Sequence, residues 1–174
     1  LHTVDLMRQA QHAPEYVAIS ATQCVPSLIL GNFVLSESSA ITEYLEDMFP
    51  DRAVYPKNPQ QRATARLIQA WLRSDFLPIR AERDTEVVFY GAQRAALSDE
   101  ARRSVDKLIA GVERLLPEGA QNLFGDYSIA DTDLAMMLMR LVAHGDDVPA
   151  SLREYAVNQW QRASIQAWVR HPWR

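Results

Sequence analysis

Between residues 24 and 49 the hydrophobic pattern changes period, and the rest of the chain is read from that stretch. Ser27 to Leu30 and Phe33 to Leu35 are short apolar runs, separated by Gly31-Asn32, a pair suited to a two-residue hairpin turn. Beyond them Ile41, Tyr44, Leu45, Met48 and Phe49 fall at helical spacing, which predicts a helix with one apolar face packed on the hairpin. Ser36-Glu37-Ser38-Ser39 lies where that helix begins. Free N–H groups and the positive end of the helix dipole meet there, so the position suits an anionic group. Pro26 stands at the mouth of the first strand, where a residue without an N–H is tolerated. An X-Pro bond reaches the cis form for only about 0.5–1 kcal/mol. A turn at Val25-Pro26 would leave the main-chain groups of Val25 free to pair with an extended, peptide-like ligand.

Elsewhere the pattern is mostly helical. Leu1 to Leu6 alternates like a strand, and Pro14 to Ile19 reads as a short helical turn with Pro14 at its first position. The prolines at 50, 56 and 59 mark a linker over residues 50–59, between a first domain at 1–49 and a helical domain at 60–174. Residues 60–77 predict a long amphipathic helix with Ala63, Leu67, Ala70, Trp71 and Ser74 on its inner face, kinked or ended by Pro78. Residues 79–90 read as an irregular helical tail. Ser98 caps a helix whose apolar face is Val105, Leu108, Ile109, Val112, Leu115 and Leu116, closed by Pro117. Ser128-Ile129-Ala130-Asp131 is a capping box with Asp in place of Glu. It opens a helix that is apolar nearly all round, including Met136, Met137 and Met139, and therefore central and buried. Residues 151–161 and 164–169 close the chain as two helices.

Composition narrows the classes. The 174 residues are 48% apolar with a net charge of −4, no basic run and no membrane-length apolar segment, which argues against nucleic acid and membrane partners. One cysteine, Cys24, excludes an internal disulfide, and His2, His12, His144 and His171 show no ligand spacing, so no metal is expected. A soluble, reducing, cytoplasmic setting fits this composition.

Val25-Pro26-x-Leu28, the hairpin, and then Leu35-x-Glu37-Ser38-x-Ala40-Ile41-x-x-Tyr44-Leu45 together resemble the glutathione-binding half of a glutathione transferase. The Ser-Ile-Ala-Asp box resembles that family's all-helical second domain, although the apolar staple the family usually adds would here be Tyr127 and Thr132, a weak pair. Asn122 to Gly125 and Ala70 to Asp75 resemble the bacterial YfcF-type branch. The resemblance implies a thioredoxin-like α/β domain followed by an all-α domain, glutathione as co-substrate, and usually a homodimer with the long helix after the linker in its interface. It implies that Val25, before a cis Pro26, pairs with the cysteinyl backbone of glutathione. Glu37 would be the counter-charge to the γ-glutamyl amine, Ser38 would bind the γ-glutamyl carboxylate, and Gln23 would reach the glycine carboxylate. Ser128 and Asp131 would be structural.

In that family a Tyr, Ser or Cys after the first thioredoxin-like strand stabilises the glutathione thiolate, the nucleophile in attack on an electrophile or peroxide. Here a strand and helix of roughly 30 residues would be expected before Leu1, and the catalytic residue with them. If that residue is a cysteine, thiol–disulfide exchange is the alternative; if it is no donor at all, the protein is a non-catalytic binding protein. Cys24 reads as a small half-buried hydrophobe, not as the donor. The electrophile site is expected between the domains. Asp75, Arg80 and Arg83 read as a solvated or salt-bridged helix face, and Trp71, Trp160, Trp168 and Trp173 as packing residues.

Overall fold

A computed structural model describes residues 1–171. They divide into two compact units, Leu1–Ala53 and a second beginning at Val54.

In the first unit a 3-10 turn at Ala10–His12 leads into helix α1 (Pro14–Val17), with Pro14 at its start. Strands β1 (Ser27–Leu30) and β2 (Phe33–Ser36) form an antiparallel pair in the register Ser27↔Ser36 to Leu30↔Phe33. Gly31 at φ 59° makes the turn, a conformation glycine adopts without steric cost. Helix α2 (Ser38–Met48) follows directly, and Tyr44 packs against Phe33 at 5.1 Å between ring centroids. Two expectations fail here. Residues 1–6 form no strand, because the sheet has two strands among the described residues and neither pairs with them. Alternation alone does not make a strand without a partner for its hydrogen bonds. The apolar face of α2 is also only partly covered: Leu45, Met48 and Phe49 are exposed, whereas Glu46 is buried.

The second unit is helical. Helix α3 (Pro59–Asp75) is capped by the Asn58 side chain, which accepts from the N–H groups of Gln60 and Gln61. It breaks at Phe76, and α4 (Leu77–Glu82) restarts with Pro78 in its first turn. Residues 85–90 form a capped helix, α5 (Thr85–Tyr90), with Asp84 accepting from Glu86 and Val87. Then come α6 (Asp99–Leu115), α7 (Ile129–His144), α8 (Ala150–Trp160) and α9 (Ala163–Val169). The core joins Ala65, Ile68 and Leu72 of α3, Val105, Leu108 and Val112 of α6, and Leu134, Leu138 and Leu141 of α7. The inner face of α3 thus differs from the one expected: Ala63, Leu67, Ala70 and Ser74 face outward and Trp71 is half-buried. Trp71 packs where Gly111 of α6 leaves room, and meets Phe76 edge-on at 4.7 Å. Trp160 packs on Phe89, Trp168 is 55% exposed, and Trp173 lies outside the described residues.

The charges near Pro78 do not form one surface cluster. Asp75 pairs with Lys107, Arg80 donates to the Arg73 carbonyl, and Arg83 is 1% exposed. Arg83 binds both carboxylate oxygens of Asp146, at 2.6 and 2.8 Å, and Arg140 of α7 donates to the Arg83 carbonyl.

Candidate glutathione site

The β1–β2 register brings the two halves of the sequence motif to one end of the hairpin. Val25 and Pro26 enter β1 just before Ser27; Glu37 and Ser38 leave β2 just after Ser36, the residue paired with Ser27. The Val25–Pro26 peptide bond is cis. Neither main-chain group of Val25 has a hydrogen-bond partner among the described residues, and the residue is 38% exposed.

Glu37 sits at φ 73°, ψ 116°. A non-glycine residue in that region is strained by about 1–3 kcal/mol and persists only where its surroundings impose it. Here the constraint is the abrupt change from β2 to α2 with no intervening loop. Among the described residues no side chain caps the first turn of α2, so the N–H groups of Ser38, Ser39 and Ala40 and the Ser38 hydroxyl meet solvent together. The helix start, Ser38 and the Glu37 carboxylate therefore offer adjacent places for an anion and a cation.

Gln23 also has a positive φ, 55°, and its Oε1 lies 3.0 Å from His12 Nδ1. With Nδ1–H donating to that oxygen, the Gln23 amide N–H groups stay available as donors. The sequence gives no spacing signal for His12, eleven residues away and on the other side of α1. Cys24 is exposed, not half-buried; its carbonyl accepts from Tyr16 Oη at 2.8 Å.

Ser128 and Asp131 lie in the helical unit and are fully buried. The Asp131 carboxylate accepts from the Ser128 N–H and hydroxyl on one oxygen, and from the Leu123 N–H and Tyr155 hydroxyl on the other, all within 2.9 Å. Burial and the Asp131 charge push the Tyr155 phenol far above its ordinary range. Both residues thus serve to seat α7. Where an apolar staple would stand, Tyr127 Oη and Thr132 Oγ1 are hydrogen-bonded at 2.8 Å. A cavity of about 410 Å³ in this unit, lined by Glu113, Glu118, Glu154 and Tyr155 among others, includes none of the motif residues.

Residues 2–53 match the N-terminal domain of glutathione S-transferases and residues 58–172 the C-terminal domain. The chain belongs to the glutathione S-transferase family. Among solved structures it is similar to a glutathione transferase homolog from Burkholderia GL BGR1 with bound glutathione, at 40% identity and TM-score 0.74, covering 94% of this chain and 78% of that one. Among curated proteins, maleylacetoacetate isomerase of Dictyostelium discoideum is 26% identical over 127 residues, 72% of this chain. Glutathione S-transferase 1 of Dianthus caryophyllus is 29% identical over 132 residues, 74% of this chain. The matches span only 58% and 56% of those two relatives.

Proposed function

We propose that the chain binds glutathione at the β1–α2 end of its first unit and presents the thiolate to an electrophile, as a glutathione transferase. The observation that carries this reading is the juxtaposition of the unpaired Val25 main chain with an uncapped helix start bearing Glu37 and Ser38. Val25 would pair with the cysteinyl backbone as an added strand does. The α2 N–H groups and the Ser38 hydroxyl would hold the γ-glutamyl carboxylate, with Glu37 beside its ammonium. Gln23, steadied by His12, would donate to the glycine carboxylate. Each is a contact that fixes the peptide and leaves its thiol free to react. The relatives named maleylacetoacetate and maleylpyruvate isomerase favour a second reading, glutathione-dependent isomerisation, which uses the same site. A homodimeric assembly, a cytoplasmic setting and a role in detoxification belong to the transferase reading as family expectations.

The Ser38→Ala variant tests the site. Losing a hydrogen bond to a carboxylate costs roughly 1.5–3 kcal/mol, about tenfold or more in affinity. Calorimetry should show that loss with the melting temperature barely changed; equal affinity in both proteins would place glutathione elsewhere.

A further inference from the structure

Four hydroxyl groups connect the two halves of the site from behind. Tyr16 Oη of α1 lies 2.8 Å from the Cys24 carbonyl and 3.0 Å from Ser27 Oγ. Ser27 Oγ is 3.0 Å from Ser36 Oγ, across the β1–β2 pair, and Ser36 Oγ is 2.9 Å from Ser20 Oγ. Ser20 is fully buried and the others are half-buried, so these hydroxyls satisfy one another with little recourse to water. A hydroxyl has one proton to give. The Tyr16 proton can go only to the carbonyl if that oxygen is to be bound at 2.8 Å. Ser27 then donates to Tyr16, Ser36 to Ser27 and Ser20 to Ser36. The longer approaches of Ser20 to the Cys24 carbonyl, 3.4 Å, and to Thr22 Oγ1, 3.5 Å, are alternative uses of the Ser20 proton. The chain runs one way, from Ser20 through Ser36, the residue before Glu37, to the Cys24 carbonyl.

That carbonyl shares a planar peptide group with the N–H of Val25. Fixing the oxygen fixes the direction of the N–H, and hydrogen bonds in series polarise one another, which strengthens the donor at the far end. We propose that Tyr16, Ser27, Ser36 and Ser20 are positioning residues that aim and strengthen the Val25 N–H for its ligand and hold it in register with the helix start at Glu37-Ser38. The proposal rests on the glutathione reading for the identity of the ligand, but not for the state of the N–H.

The test is Tyr16→Phe, which removes the terminal hydroxyl and keeps the ring. It is read in the full chain by the Val25 amide resonance and by glutathione calorimetry. Without ligand, the Val25 amide should move upfield as its carbonyl loses the bond, and the glutathione Kd should rise about fivefold. Ser36→Ala, which breaks the chain in the middle, should shift both the same way, and Ser36→Thr should restore them. This pair keeps the test decisive should Tyr16→Phe fold poorly. If melting temperature falls while the amide shift and the Kd hold, the hydroxyls only stabilise the fold and the proposal is wrong. If the parent protein binds no glutathione, the functional reading has failed, and the ligand-free Val25 shift still decides whether the hydroxyl chain sets that N–H.

Discussion

Glu37 is the residue where structure and function pull apart most clearly. Its backbone, at φ 73°, lies where a side chain is disfavoured and glycine is not. A protein selected for stability alone gains from glycine there. Replacing Glu37 by Gly should therefore raise the unfolding free energy by about 1 kcal/mol, and the denaturation midpoint with it, once the entropy of the added glycine is offset against the relieved strain. Glutathione affinity should fall at the same time if, as proposed, Glu37 is the counter-charge to the ligand's ammonium. A Glu37→Gly protein that is less stable would mean that the strain is not there to relieve. The motif at Val25, Pro26, Glu37 and Ser38 was legible in the sequence because all its signals are local: a proline, a turn pair and a change of period within fifteen residues. His12 and the hydroxyls of Tyr16 and Ser20 were not, since residue spacing carries no mark of who hydrogen-bonds across a loop.

At the scale of elements, the sequence set out the helices well and their inner faces less well. Along α3 both Ala63-Leu67-Ala70-Ser74 and Ala65-Ile68-Leu72 are apolar enough to be the buried stripe. Which one turns inward is decided by α6 and α7, hence by contacts that periodicity does not contain. The strand expected at residues 1–6 failed for a related reason, a missing partner. Gly111 shows the converse, a residue whose meaning appears only in the packing. A Cβ built there would stand 2.3 Å from Trp71 Cη2 and 2.9 Å from its Cζ2. Phe76, edge-on to the same indole, limits its retreat. Helix propensity favours Ala over Gly by about 1 kcal/mol, and overpacking costs about 1–3 kcal/mol. The clash should win, so Gly111→Ala is expected to lower the urea midpoint and alter tryptophan fluorescence. A raised midpoint would show that α3 and α6 can part to admit the methyl group.

At the scale of the molecule, the helical unit contains an ion pair between buried Arg83 and half-buried Asp146 that no local pattern announced, because its partners lie 63 positions apart. Burial alone would raise the Asp146 carboxyl, but the Arg83 hydrogen bonds and charge outweigh it, with His144 helping, and hold it below the ordinary carboxylate range. A carboxylate held low in the folded state adds stability above its unfolded value of about 3.9 and loses it as pH falls through the folded value. Asp146→Asn strands the Arg83 charge and should cost about 3 kcal/mol or more at neutral pH. The gap between the two proteins in denaturant should then narrow below about pH 4; a gap that stays constant down to pH 2 would count against the pair. A glutathione titration followed through every backbone amide by NMR tests the proposed site in the first unit most directly. The expected result is saturable movement of the amides of Gln23, Val25, Glu37 and Ser38, with those of the helical unit around Ser128 and Asp131 left in place. Movement confined to the helical unit, or none at ligand concentrations in the millimolar range, would contradict the account.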